Sequence, residues 1–342
     1  MSTLRFISHP VKEACGCSSS NSFWLEDGSE EINKEIKFPE VPKLRGARTS
    51  PEYRALHNIA RKVRPLFKAE LVGGINLFKK NINLHDLVEA LEEADPAKAM
   101  DAVPWEDFGG AIEGIGQVTF DGLSESAEKS KTLFRKSIKK LVGVESEVVF
   151  DADNPDVKDY IDNNLGELIT KIKQNTQTAI QAVISDGLNR GVPPRESAKQ
   201  IKQMIGLNDR QVVASMNHRK KLEKQDIKGR KLDLAMEKFT QKQLKYRSEL
   251  IARTEAMNAN NRGMMEVINQ NADAGLFDRS SARKKWIVTP YDRVCKICRP
   301  MANKEVGIDE EFKLRDGRSV MTPPAHPNCN CSFSLELSTE SF

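Results

Sequence analysis

The chain has 342 residues and a formal net charge of +4, from 53 Lys and Arg against 49 Asp and Glu. This length exceeds that of a usual single domain and predicts two or three folded units. Charged residues make up 30% of the chain and aromatic residues 6%, a balance that favours solvated helices over an aromatic-rich enzyme core. No run of apolar residues approaches the ~18 that a membrane-spanning helix needs, so we expect a soluble protein without a membrane partner.

The N-terminal 50 residues mix Ser, Gly, Pro and charged residues without a period that could bury one face. Such a composition predicts an extended or disordered arm over residues 1–50. Cys15-Gly16-Cys17 superficially resembles a lipoprotein cleavage site. However, Met1 to Ala14 lacks the continuous apolar stretch that export requires, so we do not expect lipidation.

From Pro51 onwards the apolar residues follow a helical period, which predicts an N-terminal helical region over residues 51–150. Further helices are predicted from Leu84 to Glu93 and from Ala111 to Val142, with Pro96 and Pro104 as breaks between them. The first apolar stripe consists of Tyr53, Leu56, Ile59, Ala60, Val63 and Leu66.

A helical domain is predicted over residues 151–275. Its clearest helix follows Asp153-Asn154-Pro155, where a capping residue precedes an apolar repeat. We expect this helix to stop at Gly187 to Gly191. Asn175 and Thr176 interrupt its stripe, as polar residues do in a bundle or coiled-coil seam. The stripe consists of Ile161, Leu165, Leu168, Ile172, Ala179 and Val183.

Three further features continue this domain. A short helix is predicted from Pro193 to Ile205, with Gly206 as its C-terminal stop. Asn208 and Gln211 have the spacing of a capping box, which predicts the start of another helix. The last long helix should run from about Lys231 to Asn271.

Positive charge is concentrated between Arg195 and Arg253, where sixteen Lys and Arg face seven Asp and Glu. One interpretation is a solvated helix face, because charge runs usually serve solubility. The other is contact with the phosphates of DNA, which predicts salt-sensitive binding without sequence preference. The candidate DNA-contacting residues are Arg219, Lys220, Lys221, Lys224, Lys228, Arg230 and Lys231.

The C-terminal residues 276–342 contain four of the six cysteines and predict a small α+β domain. Trp286 to Thr289 is typical of a strand that leads into a turn at Pro290. Two candidate metal ligands follow in a C-x-x-C turn, and three more lie about thirty residues later. Five thiol and imidazole groups are enough for the four positions around Zn²⁺. These candidate ligands are Cys295, Cys298, His326, Cys329 and Cys331.

Several interpretations of this cluster remain open. The four cysteines could form the ligand set, with His326 either replacing one of them or orienting the loop as a hydrogen-bond donor. Reduced cysteines packed in a small core, or disulfides formed on oxidation, are the alternatives to a metal site. In a chain without an export signal, such a cluster favours metal over disulfides.

At these residues the chain resembles the minor head proteins related to protein F of phage Mu. The resemblance is specific over about eighty residues and extends more loosely back to about residue 155. Asn330 departs from the arginine expected in the last motif, which removes a basic group beside the cysteines. The matching residues are Arg253-Thr254-Glu255, Trp286, Asp292, Cys295, Cys298, Gly317, Pro324, His326, Pro327, Cys329 and Cys331. We expect Arg253 and Glu255 each to pair with another helix, because two residues apart on a helix they do not face each other.

This resemblance implies a minor capsid protein of a tailed phage, present in few copies inside the head near the portal vertex. Such a protein is assembled in the host cytoplasm and acts in head morphogenesis or in DNA delivery during genome ejection. Its implied partners are the portal protein, phage DNA without sequence preference, and the major capsid or scaffolding protein. The expected fold is mainly α, a long helical bundle region followed by the small α+β domain with its Cys/His cluster.

Two other function classes, an enzyme and a DNA-binding regulator, are less consistent with this sequence. A zinc-dependent deaminase needs a Glu beside its His ligand, and none accompanies His326. A nuclease of the His-metal type needs a second histidine, and no other lies in the C-terminal domain. A DNA-binding regulator would concentrate its charge on one reading helix, whereas here the charge spans some sixty residues. We therefore expect no enzyme activity, with a zinc-dependent nuclease or DNA-binding protein as the alternative.

Overall fold

The computed structural model describes residues 51–288 and 294–342. The predicted arm over residues 1–50 and the predicted turn at Pro290 lie outside these residues. The described chain is mainly helical and ends in a small strand region with a Cys/His cluster, so the predicted fold class is confirmed. Within these residues, no helix combines the length and apolarity that crossing a membrane requires.

The N-terminal helices follow the predicted pattern with three differences, the first being that the helix predicted from Ala111 begins at Gly114. Leu66 is 58% exposed, and the neighbouring Phe67 is buried in its place, because the spacing of four from Val63 continues the apolar face. Pro96 opens a short helix, since a proline fits the first helical turn. The helices are α1 (Pro51–Asn81), α2 (Leu84–Glu92), α3 (Pro96–Asp101), α4 (Phe108–Ala111) and α5 (Gly114–Val142).

Two of the later helices begin at the predicted caps, and the last one begins at Gly229, two residues before the predicted start. The Asn154 side chain accepts the N–H of Asp156 at 2.9 Å, and Asn208 and Gln211 form the predicted reciprocal capping box. The predicted stop between Gly187 and Gly191 is confirmed, because the helix ends at Arg190 and Gly191 follows in the left-handed conformation, with φ of 65°. These helices are α6 (Pro155–Arg190), α7 (Pro194–Met204), α8 (Asp209–Lys224) and α9 (Gly229–Asp273).

The C-terminal strands form two small antiparallel sheets. In the first, β1 (Arg283–Ile287) pairs with β2 (Glu305–Gly307) on one side and with β5 (Ser332–Glu336) on the other. In the second, β3 (Phe312–Lys313) pairs with β4 (Ser319–Val320). The predicted strand at Trp286 is therefore present, and it begins three residues earlier.

The described residues fall into two compact units, each assembled from segments that are distant in sequence. Unit 1 contains residues 51–61, 122–151 and 253–342, apart from the undescribed 289–293, and unit 2 contains residues 62–121 and 152–252. The sequence predicted the consecutive ranges 51–150, 151–275 and 276–342. Each compact unit combines segments from more than one of these ranges, and the helices α1, α5 and α9 each contribute residues to both units.

Each unit has its own apolar core. In unit 2, buried residues of α1, α2, α6 and α7 pack together around Phe78 and Phe108, whose rings meet edge to face at 4.8 Å. In unit 1, Phe134 of α5 meets Phe277 at 5.5 Å. A second core in unit 1 surrounds Trp286 and contains all four described cysteines. The cysteine cluster is therefore set in an apolar, buried environment.

Candidate functional site

The C-x-x-C segment forms a compact turn directly before a short 3₁₀ helix. The N–H of Arg299 donates to the Cys295 carbonyl oxygen at 2.9 Å, which closes the turn. The N–H of Cys298 points at the Cys295 sulfur, 3.3 Å away. Backbone geometry thus brings two sulfurs to the same side and supplies a donor that stabilises a thiolate.

The other three candidate ligands lie on the segment Pro323–Ser332, here called the ligand loop. Its turn is closed by the N–H of Cys329, which donates to the His326 carbonyl oxygen at 3.2 Å. Asn328 adopts φ of 64°, a left-handed conformation that Asn tolerates better than most residues. The loop ends where Ser332 begins β5, opposite Ile287 of β1. Sheet pairing therefore fixes one end of the ligand loop relative to β1. In the sequence, β1 precedes the C-x-x-C turn.

The structure brings all five predicted ligands together and buries them. His326 Nε2 lies 3.0 Å from Cys295 Sγ and 3.2 Å from Cys298 Sγ. Cys298 Sγ lies 3.6 Å from Cys329 Sγ. Two groups, Cys295 with Cys298 and His326, and Cys298 with Cys329 and Cys331, each hold their ligand atoms within 4.8 Å of one another. Cys298 belongs to both groups and lies at the centre of the cluster.

The imidazole of His326 is oriented for ligation. Its Nδ1 lies 2.9 Å from the carbonyl oxygen of Pro327, an acceptor that requires the proton on Nδ1. In the neutral imidazole the remaining nitrogen, Nε2, then carries no proton, and it faces the sulfurs. Metal-bound histidines share this arrangement, with the second nitrogen donating to a backbone carbonyl. Of the two roles left open by the sequence, direct ligation fits this geometry.

The surroundings of Cys298 and Cys329 shift the pKa values of their thiols in opposite directions. Hydrogen bonds with Cys295, Cys329 and Cys331 raise the pKa of the Cys298 thiol. Hydrogen bonds with Cys298 and Cys331 lower the pKa of the Cys329 thiol, which accepts them as a thiolate. Several thiolates this close together repel one another unless a cation lies between them. The donor set therefore suits a divalent cation that replaces the shared protons.

The separation of the Cys298 and Cys329 sulfurs fits a small tetrahedral ion. At Zn–S distances of about 2.3 Å, tetrahedral geometry places neighbouring sulfurs about 3.8 Å apart. The observed Cys298 to Cys329 separation of 3.6 Å is close to this value. The Cys/His cluster can thus hold a metal ion, and its soft donors exclude Mg²⁺ and Ca²⁺, which prefer oxygen ligands.

Arg219 differs from the other predicted DNA-contacting residues, because its side chain is buried. Its Nε donates to Glu223 at 2.9 Å and its Nη2 to Glu196 at 3.2 Å. This guanidinium joins α7 to α8 within unit 2. Lys220 is half-buried and pairs with Asp186 at 2.7 Å. These two residues therefore contribute to packing of the helices.

The other five candidates are exposed around the connection between α8 and α9. Lys228 pairs with Asp226, which is also exposed. Lys221, Lys224, Arg230 and Lys231 lie on the last turn of α8 and the first turn of α9. We call these five residues (Lys221, Lys224, Lys228, Arg230 and Lys231) the basic hairpin. The residues of the basic hairpin are exposed whereas Arg219 is buried, a difference that a count of charges does not reveal.

Arg253 and Thr254 contact the ligand loop, which sequence reasoning did not anticipate. Arg253 Nη1 donates to the Asn328 side chain, and the N–H of Asn328 donates to Thr254 Oγ1 at 2.8 Å. We expected Arg253 to pair with another helix, and this contact adds a partner in a loop. One sequence signal could have indicated this contact. Arg253-Thr254-Glu255 and the cysteines belong to the same set of motifs that the chain shares with the Mu protein F-like proteins.

Comparison with known proteins gives one match. Residues 178–334 match the family model described as Phage Mu protein F like protein. No curated protein and no solved structure matches the chain. The matched range runs from α6 to β5 and includes all five metal-ligand candidates. The match agrees with the resemblance read from the sequence motifs, and over residues 178–334 the chain is similar to phage Mu protein F.

Proposed function

We propose that the protein is a minor head protein of a tailed phage, held at the portal vertex inside the head and acting in head assembly or DNA delivery. The observation that carries this proposal is the family match over residues 178–334. The role is structural and not enzymatic. Long helices provide surfaces for neighbouring proteins, and the Cys/His cluster stabilises a small β region whose own core is limited.

The portal association is tested by co-expression with the portal protein of the same phage, followed by size-exclusion chromatography at low salt. We expect the two proteins to co-elute, and we expect peptides of this chain in purified particles by mass spectrometry. An unrelated ring-shaped protein of similar charge controls for non-specific adsorption. Separate elution together with absence from the particles would refute the proposal.

The Cys/His cluster binds one Zn²⁺ in this proposal, through Cys295, Cys298, His326 and Cys329. These four atoms are linked by successive contacts of 3.0 to 3.6 Å. All four residues are buried, and four protein ligands leave no open position for a substrate. When bound, the ion supplies folding energy, because its ligands come from two separate segments. Elemental analysis of protein purified without added metal should give one zinc per chain.

A second candidate function is DNA binding without sequence preference, favoured by the exposure of the basic hairpin. Replacing Lys221, Lys224 and Lys231 by Glu should weaken binding to all duplexes alike. It should also lower the dependence of affinity on salt, because binding with fewer phosphate contacts releases fewer counterions. The matched control replaces three exposed lysines of α5, Lys129, Lys136 and Lys140, by Glu. Equal losses in both variants would show that only net charge matters.

A further inference from the structure

The ligand loop is held by side chains of α9 as well as by its own turn. Thr254 and Arg253 are adjacent on this helix, and both bind Asn328, the residue directly before Cys329. Thr254 accepts the backbone N–H of Asn328, while Arg253 donates to its side-chain oxygen. Together these two contacts fix both the backbone and the side chain of a residue in the left-handed conformation.

Asn261 holds the two ends of the same loop. It lies seven residues after Thr254, two helical turns further along the same face of α9. Its Nδ2 donates to the Pro323 carbonyl oxygen at 2.7 Å and to the Cys331 carbonyl oxygen at 3.4 Å. Its Oδ1 accepts the hydroxyl of Ser332 at 2.7 Å. Asn261 is fully buried, so both donors and the acceptor of its amide are engaged with the ligand loop.

A third contact comes from the start of α1. The hydroxyl of Tyr53 donates to the carbonyl oxygen of Asn330, the residue between the last two cysteines, at 3.3 Å. Side chains of α1 and α9 thus bind the ligand loop at five residues, which are Pro323, Asn328, Asn330, Cys331 and Ser332. None of these side chains is itself one of the candidate ligands. Their contacts set where His326 and Cys329 lie relative to the C-x-x-C turn.

We infer that Thr254, Arg253 and Asn261 are positioning residues for the metal, which hold the ligand loop in its binding conformation without contacting the ion. This inference rests on the proposed metal site. An ordered loop loses less conformational entropy when the ion binds, so removal of a positioning contact lowers metal affinity. Loss of groups that orient metal ligands typically lowers affinity about 10- to 100-fold.

The test uses the full chain and Co²⁺, whose visible absorption reports tetrahedral thiolate ligation. Affinity is measured by competition with a chromogenic chelator. Thr254→Val keeps the shape of the side chain but removes the hydroxyl acceptor, and we expect Co²⁺ and Zn²⁺ to bind about 10-fold more weakly or worse. Thr254→Ser restores the acceptor and should recover affinity close to that of the parent chain.

The control is Thr240→Val, which removes another buried hydroxyl of α9. Thr240 Oγ1 bonds to carbonyl oxygens of its own helix, at Met236 and Glu237, so we expect no change in Co²⁺ affinity. If the parent chain gives no tetrahedral Co²⁺ spectrum, both the metal site and this inference are overturned. If the parent chain binds Co²⁺ but Thr254→Val binds it equally well, or if both Val variants lose affinity alike, only this inference fails.

Discussion

Lys79 and Lys202 stabilise the ends of each other's helices. Lys79, in the last turn of α1, donates from Nζ to the carbonyl oxygen of Gln203 near the end of α7, at 3.0 Å. Lys202, in the last turn of α7, donates from Nζ to the carbonyl oxygen of Ile82 just after α1, also at 3.0 Å. A cation at a helix C-terminus satisfies free carbonyl groups and the helix dipole. This reciprocal pair fixes two helix ends within unit 2.

Burial of Lys79 makes the stability of the protein depend on pH. Desolvation lowers the pKa of Lys79 from 10.5 to about 8, so between these values the folded state loses its proton while the unfolded state keeps it. The free energy of unfolding should therefore rise from pH 8 to pH 10.5, by up to about 3 kcal/mol from this group. Burial also lowers the pKa of Lys284 to about 8, so the contribution of Lys79 is read as a difference between variants.

Lys79→Met should reduce this rise, because the titrating group is gone. Urea unfolding followed by circular dichroism at a series of pH values measures the effect. Lys80→Met is the matched control, since Lys80 is the exposed neighbour of Lys79. An unchanged difference between pH 8 and pH 10.5 in Lys79→Met would show that the ammonium group is hydrated in solution.

Gly74 should tolerate no side chain, whereas its neighbour Gly73 should. A Cβ added at Gly74 would lie 2.1 Å from the carbonyl oxygen of Ala111 and 2.8 Å from a methyl carbon of Ile112. Backbone must move to relieve this overlap, so we expect Gly74→Ala to destabilise unit 2 by about 2 kcal/mol or more. A Cβ at Gly73 meets no atom within 4 Å. Gly73→Ala should stabilise α1 by about 0.5 to 1 kcal/mol, which thermal unfolding would detect.

Arg219 should matter for stability more than for DNA binding. Burial would raise the pKa of Glu196, but hydrogen bonds from Lys199 and Arg219 lower it overall. The stability from this carboxylate is present above its unfolded pKa and is lost as pH falls through the lower folded value. Arg219→Met should therefore destabilise the chain by about 2 kcal/mol at neutral pH and weaken the acid dependence of unfolding.

Lys220→Met is the control for Arg219→Met. Lys220 is adjacent and also ion-paired, but its side chain is 42% exposed, so its pair with Asp186 should contribute less than about 1 kcal/mol. Equal stabilities for the two variants, measured by urea unfolding at neutral pH, would mean that Arg219 is hydrated in solution. DNA affinity measured on both variants checks that the basic hairpin acts without Arg219.

Ligand substitutions should separate the four proposed ligands from the fifth candidate, Cys331. Cys298→Ser should abolish zinc binding and lower the thermal midpoint, because Cys298 lies between both groups of ligands. Cys331→Ser should keep one zinc per chain. Elemental analysis and thermal unfolding with and without a strong chelator measure both effects. Loss of zinc from Cys331→Ser with retention in His326→Ala would favour the all-cysteine set.

Sequence patterns predicted the features of this structure that depend on near neighbours. Asn208 with Gln211 and Asn154 with Asp156 start helices as expected, because caps act within three residues. The five ligand candidates were found by spacing alone. The burial of Arg219 and the contact of Thr254 with Asn328 were not predicted, since both depend on residues from separate segments. The sequence distance between such partners leaves no periodic signal.

The discontinuity of unit 1 has a consequence for how the protein is made. Leu56 and Phe134 belong to a core that also contains Phe277 and Phe333, and these two later phenylalanines leave the ribosome well after Leu56 and Phe134. Until residues 253–342 have been synthesised, the apolar faces of residues 51–61 and 122–151 lack these core partners and are open to chaperones or to misassociation. A fragment of residues 276–342 would in turn lack the helices that cover its sheet. Closure of unit 1 therefore follows the synthesis of residues 253–342, and the proposed metal ion would act on that step.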